Sequence, residues 1–342
     1  MRGLRPNLLR LAMAVALNTA AAPLAFAASP LNYLTSHGMK ADLTLDLTLG
    51  VTAVSILVVC IIAALLAFSL WRRPGLTSAP GERLAVTGPA GGLSWLWIGV
   101  SLSTVVLLGT IIWTVEVLAQ VADPPTPPPV TIEVTGHQWW WQVRYLSPDP
   151  SHVFTTANEI HIPVGQPVRF RLVGSDVIHS FWVPALSGKT DVIPGQTNEL
   201  WLEARDPGTY SGQCTEYCGL QHAHMAFLVV ADPPEKFQAW LNEQLQSPPP
   251  NSVPPAAVAL FNMKCGSCHA VRGTDAAGVL GPDLSHLMQR HMIASGLLPN
   301  TPSDLAQWVS DPQALKPGSL MQKPELSPQD LAMIESYLQT LR

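Results

Sequence analysis

Charge is scarce in this 342-residue chain: Asp, Glu, Lys and Arg make up only 13% of it, about half the roughly 25% of a typical soluble domain. With 47% hydrophobic residues and a mean hydropathy of +0.22, wholesale disorder is excluded, and part of the chain is expected in lipid. Basic residues do not dominate either. The net charge is −5 and the pI is near 6.0, so the basic stripe that nucleic acid demands is missing. Five cysteines are too few for a disulfide scaffold in a chain this long. Proline, in contrast, is plentiful at 32 residues, which points to linkers between about two domains of ~150 residues each.

The N-terminus reads as a secretory signal peptide over 1–27. Arg2, Arg5 and Arg10 precede the apolar Leu11–Ala22 stretch, and Ala25-Phe26-Ala27 offers a small-x-small cleavage site. After an exported segment (28–48), two uncharged runs, Leu49–Leu70 and Leu93–Val115, each hold about 22 residues, enough to cross a ~30 Å hydrocarbon layer as a helix. They predict transmembrane helices over 49–71 and 93–118. The loop between them (72–92) carries Arg72, Arg73 and Arg83 against Glu82, and the positive-inside rule places it in the cytoplasm. A two-helix hairpin anchored in a bacterial inner (plasma) membrane follows, with both termini and everything after Ala119 on the outer, periplasmic side.

A stiff spacer, Asp123-Pro-Pro-Thr-Pro-Pro-Pro129, dominates the 119–130 linker. From 131 to 232 the pattern is β: Ile132–Val143 alternates, His161–Leu172 surrounds a Pro-Val-Gly-Gln turn, and Asn198–Leu202 alternates again. A sandwich or barrel is expected. Over 233–255 a short amphipathic helix, with Phe237, Trp240, Leu241 and Leu245 on one face, leads into a second proline tract. The last unit, 256–342, is helical in outline, over Ala256–Met263, Ser303–Ser310 and Ser327–Leu341.

In that last unit Cys265-Gly-Ser-Cys268-His269 matches C-x-x-C-H, the attachment signature of a c-type haem. Two cysteines one helical turn apart can bond both vinyl groups, and the adjacent imidazole then falls under the iron. A thioether on the opposite face raises the potential and suits electron transfer. Met321, in the loop Lys316-Pro-Gly-Ser-Leu-Met321, is the expected ligand. Met288 and Met292 are read as core filler in a helical stretch.

The β region ends in a denser cluster, Cys214-Thr-Glu216-Tyr-Cys218-Gly-Leu-Gln-His222-Ala-His224-Met225. Thiolates, imidazole and thioether are soft ligands that favour copper. A second cysteine four residues after the first is more than a single-copper site needs. Two thiolates can bridge two coppers, each wanting its own imidazole: His222 supplies one, and His179 in Asp176-Val-Ile-His-Ser-Phe-Trp-Val-Pro184 is the best-placed other. The alternative for Cys214 and Cys218 is a disulfide.

On these motifs, together with Gly136-His-Gln-Trp-Trp-Trp141 and Lys189-Thr-Asp-Val-Ile-Pro-Gly195, the chain resembles subunit II of the haem-copper cytochrome c oxidases in the form fused to a C-terminal cytochrome c domain. The resemblance implies a multidomain membrane protein: a two-helix transmembrane hairpin, an all-β cupredoxin-like sandwich and an all-α cytochrome c domain. It implies a dinuclear CuA centre bridged by Cys214 and Cys218, with His179 and His222 on one copper each, Met225 as a weak ligand and the Glu216 carbonyl as another. The Glu216 side chain is implied to reach a magnesium or manganese ion at the interface with subunit I. Trp139 matches the aromatic residue through which electrons reach CuA, and is expected to share a strand face with Trp141. Where such oxidases often carry a glutamate before the second membrane helix, Gly91-Gly92-Leu93-Ser94 stands here. The implied activity is an electron relay for oxygen reduction to water with proton translocation. Implied partners are subunit I, other oxidase subunits, and a donor such as a cytochrome c or a quinol-oxidising complex. Two alternatives share these residues: a CuA subunit of a nitric oxide reductase, and a membrane-anchored copper or redox protein acting without subunit I.

Overall fold

The structure is a computed structural model that describes residues 31–72, 93–248 and 254–342. The expected signal peptide, and the basic loop apart from Arg72, lie outside the described residues. Two long helices, α1 (Met39–Arg72) and α2 (Leu93–Ala122), correspond to the two apolar runs. Both pass the length and apolarity needed to cross a membrane. Their apolar side chains are exposed on every face, with Val59, Leu65 and Leu70 at 64, 63 and 69%, a surface that only lipid or another apolar partner satisfies. Both helices overrun the predicted spans. The apolar run marks the stretch that matches lipid, whereas backbone bonding continues through good helix formers, from Met39 at one end to Ala122, just ahead of the prolines, at the other.

The β region is a sandwich of two five-stranded sheets. One has the order β3 (Phe154–Ala157), β2 (Trp140–Leu146), β1 (Val130–His137), β5 (Val168–Gly174), β8 (Thr197–Leu202); the other runs β4 (Glu159–Pro163), β10 (Ala226–Asp232), β9 (Gly208–Cys214), β6 (His179–Trp182), β7 (Thr190–Val192). Pairing is antiparallel except for β1 with β5 and β10 with β4. Alternation explains the core: Ile132 and Val134 on β1, Val143 and Tyr145 opposite them on β2, and Phe170 and Leu172 on β5 all turn inward. They meet Ile160, Ile162, Phe181, Phe227 and Val229 of the second sheet. Each such side chain contributes about 1.5–3 kcal/mol on burial. The segment read as one strand over Ile132–Val143 is in fact two, broken by a turn at Gln138–Trp139, because both side chains of that turn bond elsewhere, as described below.

Helix α3 (Pro234–Gln244) closes the far end of the sandwich. Phe237 is buried, and Trp240 stacks on His161 with ring centroids 4.2 Å apart. His161 is held between two carboxylates, Nδ1 at 2.7 Å from Asp232 Oδ2 and Nε2 at 3.2 Å from Glu159 Oε1. Glu159 also accepts from the backbone and faces the ring of His291. Burial opposes charge on both groups. The bonds to Asp232 and Glu159 outweigh it and raise the His161 pKa, and the bonds from His161 and His291 outweigh it and lower that of Glu159. The His161 contribution to stability is therefore complete below its ordinary 6.5 and is lost as pH rises through the raised folded value. The Glu159 contribution is present above its ordinary 4.5 and lost as pH falls through the depressed one. Thermal melts should show the His161 contribution to stability falling away as pH rises above its ordinary 6.5 and through the raised folded value, and His161→Gln should flatten that slope; an unchanged slope would contradict the assignment.

The C-terminal unit is built from α4 (Pro255–Lys264), α5 (Pro302–Ser310), the short α6 (Pro312–Leu315) and α7 (Pro328–Leu338). Each starts with proline, whose missing N–H costs nothing there. Thr301, Asp311 and Ser327 cap α5, α6 and α7 by accepting from Asp304, Ala314 and Asp330 amides. Leu260, Phe261, Leu305, Val309, Ile334 and Leu338 form its core. Met288 and Met292 do not lie on a helix as expected. Met288 is in a 3-10 turn (Leu287–Gln289) and Met292 begins a two-residue strand, β11 (Met292–Ile293), paired with β12 (Leu298–Pro299). The left-handed Ala294–Gly296 turn between those strands is incompatible with helix.

Candidate metal and haem sites

Two neighbouring inner strands of one sheet and one loop assemble the sulfur cluster. His179 opens β6, Cys214 closes β9, and the β9–β10 loop carries Glu216, Cys218, His222 and Met225. Strand register brings the first two together, since Phe181 pairs with Cys214. Cys214 Sγ lies 3.8 Å from Cys218 Sγ, 3.9 Å from His179 Nδ1 and 3.3 Å from the Glu216 carbonyl. Cys218 Sγ is 3.5 Å from His222 Nδ1 and 3.8 Å from Met225 Sδ. All six residues named from the sequence thus meet in one place. The two sulfurs are unbonded, at nearly twice the ~2.0 Å of a disulfide. Among the described residues, His179, Cys214 and Cys218 are the one group of His, Cys, Asp or Glu whose ligand atoms lie within 4.8 Å of one another, and all three are buried.

The electrostatics are those of two thiols sharing a proton. The Cys214 thiol is pulled down by the hydrogen bond from Cys218 and then, against burial, by His179 and nearby backbone. Cys218 is pushed up by its bond to Cys214 and by burial. A cation takes the place of the proton readily, because a coordinating thiol ionises outright. Soft sulfur with imidazole, in a buried pocket, fits copper and disfavours hard cations.

A residue that the sequence reading passed over orders this cluster. Asp176 accepts from His179 Nε2 at 2.8 Å, which leaves Nδ1 to face Cys214. It also accepts the amides of Gln138 and Val177. The carboxylate three residues before the histidine was the available signal. Burial opposes protonation of His179, but the bonds to Cys214 and Asp176 prevail and raise its pKa.

Trp139 lies in the β1–β2 turn rather than on a strand, yet it is buried in the same core as Trp141. Trp139 Nε1 donates to the Cys218 carbonyl at 3.0 Å, and Gln138 Nε2 donates to the same oxygen at 2.7 Å. Trp140 points the other way and stacks on His137 at 4.5 Å. His224 is directed away from the sulfurs, with Nδ1 at 2.7 Å from Gln221 Oε1.

In the helical unit, the C-x-x-C-H segment turns back immediately after α4. The amides of Cys268 and His269 both donate to the Cys265 carbonyl at 3.0 Å. His269 Nδ1 donates to the Pro282 carbonyl at 2.8 Å, leaving Nε2 as the free ligand atom. Burial holds the ring pKa down, favouring the neutral, ligating form, and pushes the Cys265 thiol up to about 11. A Cβ on Gly281 would stand 2.6 Å from His269 Cε1, so the segment can lie flat on the imidazole only with glycine there. Met263, Val279, Leu280 and Leu320 of the helical unit expose 68–75% of their surface, apolar area of the kind a porphyrin covers. The loop carrying Met321 is braced by Gln313, whose Nε2 donates to the Ser319 and Met321 carbonyls.

A metal-type cluster on a β-sandwich, a haem-attachment turn on a helical domain and two apolar helices define a membrane-anchored redox protein. Residues 146–232 match the family described as cytochrome c oxidase subunit II, periplasmic domain, and residues 256–342 match cytochrome c. Cytochrome c oxidase subunit 2 of Alkalihalophilus pseudofirmus is 37% identical over 294 residues, spanning 84% of this chain and 83% of that protein. Its counterpart in Bacillus sp. PS3 is 34% identical over 62% of each chain. The periplasmic domain of subunit II of cytochrome oxidase from Bradyrhizobium japonicum is 34% identical over 35% of this chain and 95% of that one, with a TM-score of 0.32. The chain belongs to the cytochrome c oxidase subunit II family. It is a membrane-anchored subunit of an oxidoreductase complex, with external domains and other oxidase subunits as partners.

Proposed function

We propose that this chain is the electron-relay subunit of a respiratory cytochrome c oxidase. It receives electrons from a cytochrome c or a quinol-oxidising complex and passes them from its haem domain to its β-sandwich. From there they go to the haem-copper site of subunit I, where oxygen is reduced to water and protons are translocated. Cys265, Cys268, His269 and Met321 would hold a haem c. Cys214, Cys218, His179, His222, Met225 and the Glu216 carbonyl would hold the dinuclear copper of a CuA centre, and the Glu216 side chain would serve a magnesium or manganese ion at subunit I. When bound, these groups supply the one-electron chemistry that the polypeptide lacks. The polypeptide itself performs no bond chemistry. Its buried, prearranged donors hold a fixed geometry, so little reorganises on a change of charge. Asp176 sets the His179 ring, Pro282 sets the His269 ring, and Trp139 ties the turn facing the helical unit to the backbone of Cys218. The observation that carries the reading is the meeting of both thiols with two Nδ1 atoms and a thioether. Affinity purification of the tagged full chain from membranes should recover a haem-copper oxidase subunit I and a cyanide-sensitive oxygen uptake. Recovery of a nitric oxide reductase large subunit, or of this chain alone, would overturn the reading.

A further inference from the structure

The helical domain is fastened to the sandwich by named contacts. Lys316, the first residue of the Met321 loop, is only 3% exposed. Its Nζ donates to three backbone carbonyls: Trp139 at 2.7 Å, His224 at 2.7 Å and Ala294 at 3.0 Å. An ammonium has three protons to give, and all are used. Two acceptors belong to the sandwich, one in the β1–β2 turn and one between His222 and Met225. The third belongs to the helical domain's own β11–β12 turn. None of the acceptors carries a charge, and burial pushes the Lys316 pKa down to about 7. An ammonium buried without an opposite charge is costly even when fully hydrogen-bonded, so its position is informative.

The β11–β12 turn is an independent second attachment. Ala294, Ser295 and Gly296 all have positive φ, at 53, 62 and 82°, a run that ordinary side chains resist. It drives the turn against Ala226, the residue after Met225. The Ala226 amide donates to the Ser295 carbonyl at 3.1 Å, and Ser295 Oγ donates to the Ala226 carbonyl at 3.0 Å. A Cβ on Gly296 would meet the Ala226 Cβ at 2.7 Å. Around these two, Gln221 Nε2 donates to the Pro317 carbonyl at 2.9 Å, and His291 bonds Glu159. Gly318 lies against the Trp139 ring, where an added Cβ would sit 3.7 Å from it.

We propose that Lys316 is a positioning residue: its ammonium clasps the Met321 loop of the haem domain to the backbone of Trp139 and of the His222–Met225 loop, so that the two redox sites keep one fixed separation. The inference rests on the electron-relay reading for its purpose, though not for its geometry. It has a consequence for partners. With the helical domain seated on Trp139, a soluble cytochrome c cannot reach that ring, and a donor must deliver to the haem domain instead.

The test compares the full-length, detergent-purified chain with Lys316→Met. Backbone hydrogen exchange over residues 139–141, 222–226 and 292–296 reads the docking whether or not metals are loaded. Laser-flash kinetics read the haem-to-copper transfer. In the variant, haem content and the copper spectrum should be unchanged. Interface protection should be lost, and the transfer should slow by about tenfold or more, as misplacement by an ångström does elsewhere, and become viscosity-dependent. Gly296→Val, which leaves Lys316 intact, should open the same interface and serves if Lys316→Met fails to accumulate. Retained protection and an unchanged rate in Lys316→Met would overturn the clasp, as would retained protection in Gly296→Val where Lys316→Met fails to accumulate, or a lack of protection in the unmodified chain. Lack of copper or haem in the unmodified chain would defeat the relay reading, while hydrogen exchange would still decide the clasp.

Discussion

Replacing Cys218 with serine is expected to abolish the copper centre and oxygen uptake while leaving haem c attached. Cys218 Sγ is the hub of the cluster, in contact with Cys214, His222 and Met225 at 3.8, 3.5 and 3.8 Å. A serine hydroxyl stays protonated near neutral pH and is a hard, poor donor for copper. The change removes no large side chain, so the sandwich should still fold. The proposed haem attachment uses Cys265, Cys268 and His269 of the helical unit, whose core is separate from that of the sandwich. The copper-to-haem ratio and an oxygen electrode measure the effect. Retained copper or retained uptake would contradict the assignment.

Trp141→Ala should be the most destabilising single change in the β domain. The ring is fully buried and lies edge-on to Phe181, Phe227 and His179, at centroid distances of 5.8, 5.4 and 5.9 Å. Its Nε1 donates to the Met225 carbonyl at 3.4 Å. Truncation of a buried tryptophan costs about 3–5 kcal/mol, which for a domain near a hundred residues lowers the melting temperature by at least about 12 °C. The same ring backs both His179 and the Met225 loop, so copper retention should fall with stability. Thermal melts by circular dichroism, with copper analysis, test this. A loss under about 1 kcal/mol would mean that the sandwich repacks around the gap and that the ring is not the keystone of the core.

Much of the architecture was legible because its signals are local. Apolar runs without charge mark α1 and α2. Alternation marks β1 and β2, and helical periodicity marks α4, α5 and α7, while the short α6 was not read. The sulfur cluster was legible for a similar reason: five of its six residues lie within twelve positions, and His179 stands in the Asp176–Pro184 motif that opens β6. What was not legible depended on long-range pairing. The turn at Gln138–Trp139 exists because two side chains bond to Cys218, 80 and 79 residues away, which alternation cannot reveal. Asp176 had a local cue in its spacing from His179, but its role emerges only when the Gln138 amide also arrives. Lys316 had no cue. An isolated lysine in a loop normally faces solvent, and only the tertiary approach of three carbonyls buries it. The stretch around Met288 and Met292 misled because helix and short turns share apolar spacing, and left-handed residues at Ala294 and Ser295 are not predictable from side chains that usually avoid them.

The measurement that reaches the central claim most directly is electron paramagnetic resonance of the oxidised full-length chain, with copper and haem quantified on the same sample. An electron relay of this kind should hold two coppers and one haem per chain, with a hyperfine pattern from one unpaired electron shared equally between two copper nuclei. A single-copper pattern, or haem without copper, would contradict it.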